Sequence, residues 1–190
     1  EYKGESDKFI DFLIEEVMPK VKKNDLAEFC DVFCDEGAFS HKESKKLLQA
    51  AKEMGYKLKI HADEIANTKA AQLAGKLKAV SAEHLLKASD EGLKSLKDNE
   101  VIAVLLPLTA FSLQEEYADA RKMIEMGIPV ALATDLNPGS SYSQSIPLLL
   151  SLAVMYMDMS PEEAITALTI NAAAALNKED RIGSIAKGKK

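Results

Sequence analysis

Three strand-like runs in this chain each end on a side chain that can act on a ligand. The runs and the residues that follow them are Lys57 to Ile60 before His61, Ala79 to Ala82 before Glu83-His84, and Val130 to Thr134 before Asp135. In parallel α/β barrels, the side chains that act on a ligand stand at the carboxyl ends of the strands. We therefore expect His61, His84 and Asp135 to lie close together in space, although they are far apart in the sequence.

Strand and helix patterns alternate along the whole chain. The predicted strands are Phe29 to Cys34, Leu58 to His61, Ala79 to Ala82, Ile102 to Leu106 and Val130 to Thr134. Repeated strand–helix units imply parallel pairing with right-handed crossovers. A complete (βα)8 barrel takes about 250 residues, whereas this chain has 190. We therefore predict an α/β fold in one domain, residues 1–190, that is a partial (βα)8 TIM-like barrel of about five parallel strands with flanking helices.

The predicted helices fill the segments between these strands. Ser40 and Glu43 form a capping box at the start of one helix, and Ser160 with Glu163 marks the start of the last. Pro19 is expected to kink or end the first helix. The helices are expected at residues 7–23, 40–55, 66–77, 89–96, 114–126, 147–157 and 160–176. The last two predicted strands are apolar throughout, as a sheet covered on both faces requires. Lys57 and Lys59 weaken this argument for the second predicted strand.

Composition excludes several classes of partner. The net charge is -6 and the sequence pI is about 5.2, so we expect no binding to nucleic acid or to an anionic membrane, both of which require clustered basic surface. No segment approaches the ~20 apolar residues of a membrane span. Cys30 and Cys34 lie four residues apart on one predicted strand, where a disulfide is geometrically unfavourable, and we interpret them as small buried hydrophobes. Together these features favour a cytoplasmic protein.

The residue types at the strand ends suit a hydrolytic metal site. Such a site needs a few His or carboxylate ligands and an open position where bound water loses a proton near neutral pH. His61 and Asp135 suit the ligand role, and Asp135 can also accept the proton. His84 can polarise a carbonyl group or stabilise an oxyanion. Glu64, three residues after His61, can face the same pocket.

Each of these residues also has an ordinary interpretation. His84 alone fits a hydrogen-bonded structural histidine at a strand end. Glu64 alone fits a carboxylate that favours the start of a helix through the helix dipole. Asp135 alone fits the first residue of the turn sequence Asp-Leu-Asn-Pro-Gly. Only the joint pattern favours a catalytic site.

Four segments give the chain a resemblance to a known family. They are Phe33 to Ser40, His61 to Glu64, Ser81 to Leu85 and Ala133 to Ser140, with supporting matches at Thr169 to Ala173 and Arg181 to Ser184. In these segments the chain resembles the imidazolonepropionases of the amidohydrolase superfamily, and the likeness covers essentially the whole sequence. The pattern of His, His and Asp on late barrel strands is that of the superfamily, and the Asn-Pro-Gly-Ser loop narrows it to this member.

The resemblance implies a reaction and a set of roles. In that family one zinc or iron ion activates water, which opens the cyclic amide of 4-imidazolone-5-propanoate to give N-formimidoyl-L-glutamate in histidine degradation. The roles implied by the likeness are metal ligands at His61 and Asp135, catalytic groups at His84 and Asp135, and substrate contacts at Glu64, Asn137, Gly139 and Ser140.

Part of the family's site precedes the start of this chain. The family takes two further ligands from a His-x-His pair on its first strand, and catalytic metal sites usually offer three or more protein ligands. We therefore expect the isolated chain to be inactive and to bind metal weakly. A barrel without its early strands exposes sheet edges, so we also expect a homodimer or other self-association.

Two alternatives stay open on the sequence alone. Another amidohydrolase, acting on a different cyclic amide or an aminopurine, would share His61, His84 and Asp135. A noncatalytic α/β module could instead hold a small ligand at the strand ends without a metal. Only a metal enzyme is expected to lose metal and turnover together when His61 is replaced.

Overall fold

A parallel β-sheet forms the centre of the fold. The structure is a computed structural model that describes residues 4–190, so the first three residues of the predicted domain lie outside it. The strands are β1 (Phe29–Cys30), β2 (Phe33–Cys34), β3 (Lys57–Ala62), β4 (Ser81–His84), β5 (Ile102–Leu105) and β6 (Val130–Leu132). Their order in the sheet is β1-β3-β4-β5-β6, with β2 also paired to β3, and every pair is parallel. The predicted parallel sheet is therefore confirmed.

Helices flank the sheet in the predicted alternation. The helices are α1 (6–23), α2 (His41–Glu53), α3 (Ala70–Leu77), α4 (Asp90–Asp98), α5 (Pro107–Leu113), α6 (Ala120–Glu125), α7 (Ile146–Tyr156) and α8 (161–175). Helix α1 contains a π-helical turn at Leu13–Val17, directly before Met18 and Pro19. The wider turn accommodates the absence of an N–H group on proline. The helix therefore continues past Pro19 instead of ending there.

Several predicted element bounds need correction, and the differences are largest at the first strand and after β5. The run from Phe29 to Cys34 is two short strands rather than one, although the Val32 carbonyl between them still accepts a hydrogen bond from the His61 N–H. The helix predicted at 114–126 begins later, at Ala120, and ends at Glu125, and a helix between it and β5 was not predicted. Pro107 instead occupies the first turn of α5, where its missing N–H is harmless, and Gln114 ends that helix in the left-handed region with φ 58°.

The capping predictions are confirmed. The Ser40 side chain accepts from the Glu43 N–H and the Glu43 carboxylate accepts from the Ser40 N–H, and Ser160 and Glu163 repeat the arrangement. Each pair satisfies two N–H groups that a helix start leaves without partners. These reciprocal bonds fix where α2 and α8 begin.

The two faces of the sheet differ in polarity. Along β3, Leu58, Ile60 and Ala62 point into the main hydrophobic core against the helices, whereas Lys59 and His61 lie on the opposite face. We call this opposite side the inner face. A smaller apolar cluster covers it at β5 and β6, where α8 packs; its members are Val104, Leu106, Ala131 and Ala175. Period-two alternation therefore explains the lysines in β3, which face the interior of the curved sheet.

Two further contacts tie the C-terminal segment to the sheet. The Asn171 side-chain amide donates to the Val130 carbonyl at 2.8 Å, and the Lys178 ammonium lies 2.8 Å from a carboxylate oxygen of Glu28, just before β1. The chain from Asn171 in α8 to Lys178 just after it thus reaches from β6 towards β1. Among residues 4–190, no helix combines the length and the apolar character that a bilayer crossing requires.

Close packing of α3 on α4 depends on Gly75. A Cβ atom built at this position would lie 2.4 Å from the Ser95 carbonyl oxygen and 2.7 Å from its carbon. Both atoms belong to the backbone and cannot move aside without shifting α4. Glycine is therefore required by the distance between the helices, although it is a poor helix former.

We expect Gly75→Ala to destabilise the chain by about 1–3 kcal/mol, because the methyl group overpacks the helix interface. At an unhindered helix position the same substitution would stabilise by about 1 kcal/mol, so the sign itself is diagnostic. Urea unfolding followed by circular dichroism measures the change. Lys76→Ala, at the neighbouring exposed position, is the matched control and should stay within about 0.5 kcal/mol of the wild type. A stabilised Gly75→Ala variant would contradict the packing argument.

Candidate active site

His61, His84 and Asp135 meet at the carboxyl edge of the sheet. The ring centroids of His61 and His84 are 5.3 Å apart. The Nε2 atom of His84 lies 4.0 Å from the Oδ2 atom of Asp135. The structure therefore brings together the three side chains that the sequence placed at strand ends, as parallel pairing requires.

Unusual backbone geometry turns His84 and Asp135 towards each other. Strand β4 ends at His84 rather than at the predicted Ala82, and alternation along it would send His84 to the outer core beside Ala82. Instead, His84, Leu85 and Asp135 have φ values of 70°, 64° and 50°. Non-glycine residues in this left-handed region are uncommon and cluster at functional sites, where the surroundings hold them.

Polar groups surround His84 on two sides. The Glu64 Oε1 atom lies 3.4 Å from its Nδ1 atom, opposite the contact with Asp135. The Thr109 hydroxyl, 1% exposed, donates to Asp135 Oδ2 at 2.6 Å. The sequence reasoning missed Thr109 because it predicted no helix over the residues that form α5. Pro107 at the start of that helix was the available signal.

The site sets different pKa values for its two histidines. Burial lowers the pKa of His84 to about 4, and repulsion by His61 adds to the effect. Burial also lowers the pKa of His61, but the Asp31 carboxylate outweighs it, aided by Glu83 and Asp135, so the pKa is raised overall. Burial raises the pKa of Glu64, with a further contribution from Asp135. Near pH 7, His84 is therefore neutral and has one nitrogen that accepts a hydrogen bond and one that donates.

A polar network on the inner face lies beneath these groups. The Glu83 carboxylate accepts hydrogen bonds from the Lys59 ammonium at 3.0 Å, the Ser81 hydroxyl at 2.5 Å and the Ile60 N–H at 3.2 Å. Burial raises the pKa of Glu83, and Lys59 opposes that rise. The sequence held a signal for this network, since Lys59 and His61, like Ser81 and Glu83, are two residues apart on a strand.

Asp31 is a further neighbour of His61 that the sequence reasoning did not select. Its Oδ2 atom lies 2.9 Å from His61 Nδ1, but the oxygen lies off the N–H direction, so that buried nitrogen lacks a well-formed hydrogen bond. Ligand atoms of Asp31, His61 and Glu83 all lie within 4.8 Å of one another. Because Lys59 already neutralises Glu83, this trio does not offer three free ligands.

The loop after β6 is organised by Asn137. Its Oδ1 atom accepts hydrogen bonds from the N–H groups of Gly139 and Ser140, both at 2.8 Å, and its Nδ2 atom donates to the Asp135 carbonyl at 2.7 Å. The Asn137 side chain is thus engaged within the loop, directly after Asp135. Substrate contact by Asn137, Gly139 and Ser140 stays a prediction.

A cavity opens on the inner face beside the site. Its volume is about 320 Å³, and its lining includes His61, Asp135, Val104, Ala131 and Leu176. In type, the imidazole of His61 and the carboxylate of Asp135 suit zinc or iron, both of which accept nitrogen and oxygen ligands. However, these two residues supply only two donor atoms, which is fewer than the three protein ligands of a usual catalytic zinc site. Their roles as ligands stay a prediction.

Curated relatives match the whole chain. It is 60% identical over 189 residues to an imidazolonepropionase of Bacteroides thetaiotaomicron, and 59% identical over 190 residues to an imidazolonepropionase of Clostridium tetani. In both comparisons all of this chain is covered. The chain spans 45% of the length of each relative, somewhat less than half.

Solved structures share the fold at low sequence identity. An atrazine chlorohydrolase of Arthrobacter aurescens, complexed with zinc and atraton, is 15% identical with a TM-score of 0.72, covering 95% of this chain and 46% of that one. A zinc-bound adenosine deaminase of Xanthomonas campestris is 19% identical with a TM-score of 0.68, covering 80% and 39%. These likenesses confirm the fold as part of a TIM-like barrel. The sequence model of the amidohydrolase family matches residues 33–190, and the chain therefore belongs to the amidohydrolase family.

Proposed function

We propose that this chain, residues 1–190, is a fragment of a metal-dependent amidohydrolase barrel domain. The full protein would hydrolyse the cyclic amide of 4-imidazolone-5-propanoate to N-formimidoyl-L-glutamate in histidine degradation. The observation that carries this proposal is the convergence of His61, His84 and Asp135 in a chain up to 60% identical to imidazolonepropionases. Because the chain spans 45% of those relatives, the reaction is assigned to the full protein.

In this proposal His61 and Asp135 bind one divalent metal ion, zinc or iron. The ion supplies a nucleophilic water near neutral pH when it is bound. His61 would use Nε2, since its Nδ1 atom faces Asp31 at 2.9 Å. The type of donor atom supports the assignment, as does zinc in the related structures.

Asp135 would take the proton from the attacking water. One of its carboxylate oxygens accepts a hydrogen bond from Thr109, which orients the group. That proton would then pass to the ring nitrogen when the C–N bond of the cyclic amide breaks. A general base must lie within hydrogen-bond reach of the proton that it accepts, so the fixed orientation of Asp135 favours this role.

His84 would act on the carbonyl group of the substrate. It is 3% exposed and neutral near pH 7, so that it can donate a hydrogen bond without the cost of a buried positive charge. Donors aimed at a developing oxyanion stabilise the transition state more than the ground state. Glu64, 3.4 Å from His84, would contact the imidazolone ring, and Asn137, Gly139 and Ser140 would hold the substrate through the loop after β6.

The proposal also covers assembly and location. The sheet is open at β1 and β6 within the described residues, and Tyr142 and Met155 are more than two-thirds exposed. Unpaired edges and exposed apolar groups favour association with a second copy. We assign a cytoplasmic location, a small-molecule substrate, and no binding to nucleic acid or membranes, in line with the acidic composition.

In the full-length gene product, His61→Ala should abolish both metal content and loss of 4-imidazolone-5-propanoate absorbance, because it removes a ligand. Metal is measured by elemental analysis of the purified protein. His41→Ala is the control, since His41 is the first residue of α2 and has no role in the proposed site, so it should change neither quantity. An inert wild type that retains its metal would point to another cyclic amide or an aminopurine. Turnover without metal would remove the metal mechanism.

The 190-residue chain alone should bind zinc at least about 100-fold more weakly than the full-length product, because it supplies two proposed ligands where catalytic sites use three or more. Competition with a chromophoric chelator measures both affinities. The chain alone should also show no turnover. One tightly bound zinc per isolated chain would refute this expectation.

The isolated chain should self-associate because its sheet edges are open. Sedimentation velocity should then give a mass above the 20.7 kDa of one chain. A Tyr142→Lys variant places charge on an exposed apolar position and should shift the equilibrium towards monomer if that surface takes part. A stable 20.7 kDa species at every accessible concentration would contradict self-association.

A further inference from the structure

Asp35 holds the backbone of the loop that carries Glu64. It follows β2 directly and is 3% exposed. Its Oδ2 atom accepts hydrogen bonds from the N–H groups of Glu64 at 2.7 Å and Ile65 at 2.9 Å. Its Oδ1 atom accepts from the N–H groups of Ala66 at 3.0 Å and Glu36 at 2.8 Å. Four N–H groups thus surround one buried carboxylate.

Asp63 holds the other end of the same loop. It is fully buried and accepts hydrogen bonds from the N–H groups of Thr68 at 2.9 Å, Ala70 at 3.1 Å and Ala71 at 3.0 Å. It thereby caps the start of α3, where Lys69 provides no side-chain cap. This explains why the helix begins at residue 70 rather than at the predicted 66. Asp35 thus holds residues 64–66, and Asp63 holds residues 68–71.

The bonding of Asp35 excludes a direct chemical role for it. Both of its oxygens are occupied by backbone donors, and the side chain has almost no exposed surface. Hydrogen bonds to an ionised carboxylate are shorter and stronger than those between neutral groups. Asp35 therefore acts on the position of the backbone, and the first side chain on that backbone is Glu64.

We propose that Asp35 is a positioning residue that holds Glu64 against His84 and so sets the affinity for substrate. The inference rests on the proposed function, in which Glu64 contacts the imidazolone ring. The chain of contacts is short: Asp35 fixes the Glu64 N–H at 2.7 Å, and the Glu64 carboxylate lies 3.4 Å from His84 Nδ1. A displacement of about 1 Å in a group that positions the substrate is enough to lose much of what that group contributes.

A double-mutant cycle in the metal-loaded, full-length gene product tests the proposal. Asp35→Asn keeps the shape of the side chain but replaces one acceptor oxygen with a donor. It should raise KM for 4-imidazolone-5-propanoate about tenfold and change kcat by less than about threefold. Glu64→Gln should also raise KM. The double variant should match Glu64→Gln within about twofold, because Asp35 acts through Glu64. Additive effects on KM would overturn the inference.

Asp63→Asn is the matched control, since it weakens an equally buried carboxylate whose hydrogen bonds hold Thr68, Ala70 and Ala71 rather than Glu64. It should lower the melting temperature and leave KM within about twofold of the wild type. An equal rise in KM would show that any loosening of the loop suffices, and would also overturn the inference. If Asp35→Asn fails to fold, Asp35→Ser, which keeps one smaller acceptor, takes its place in the cycle.

Hydrogen exchange provides a readout that does not depend on the substrate. In Asp35→Asn the amides of residues 64–66 should exchange at least about tenfold faster, while those of residues 70–71 keep their rates. A wild type inert on this substrate would end the proposed function, and unchanged exchange at residues 64–66 would separately end the role of Asp35. The two failures are thus distinguishable.

Discussion

Parallel strand pairing is the constraint on which the candidate site depends. Since β3 to β6 all run in one direction, their carboxyl ends share one edge, and residues separated by dozens of positions become neighbours there. The centroid distance of 5.3 Å between His61 and His84 follows from this pairing across 23 residues of sequence. An antiparallel neighbour would have sent one of the two rings to the opposite edge. The polar site is local in space only because the backbone hydrogen bonds of the sheet are in parallel register.

The inner face adds a second requirement, because it carries charge where the outer face is apolar. Lys59 and Glu83 form a pair whose exposed fractions are 17% and 9%. A buried ion pair is tolerated when further hydrogen bonds satisfy it, and Ser81 and the Ile60 N–H do so for Glu83. His61 lies two residues beyond Lys59 on β3 and on the same face of the sheet. Its environment is therefore set by charges that also hold the sheet interior together.

Sequence reasoning predicted the fold and the convergence of three polar strand-end residues because these depend on period and position. Apolar runs, capping residues and the polar groups after each run are all visible in a single sequence, and the convergence of His61, His84 and Asp135 follows from parallel topology. The misses were those that depend on tertiary partners. Pro107 is a local signal for a helix start, but it fits the end of a strand equally well, and nothing local shows that Asp63 would cap α3 from seven residues away. Asp35 was visible as a residue but its distant partners were not, since three of the four are backbone groups about 30 positions further along.

The left-handed backbone at His84, Leu85 and Asp135 has a consequence for how this site can vary. An L-residue with a branched Cβ fits this region poorly, whereas asparagine, aspartate and glycine enter it readily. A substitution at these strand ends must therefore meet two requirements: the new residue must adopt the left-handed backbone conformation, and its side chain must supply the required chemical group. Loss of function in an alanine variant at position 84 or 135 would combine backbone strain with loss of the side-chain group. Asparagine tolerates the left-handed region, so an asparagine variant separates the two effects.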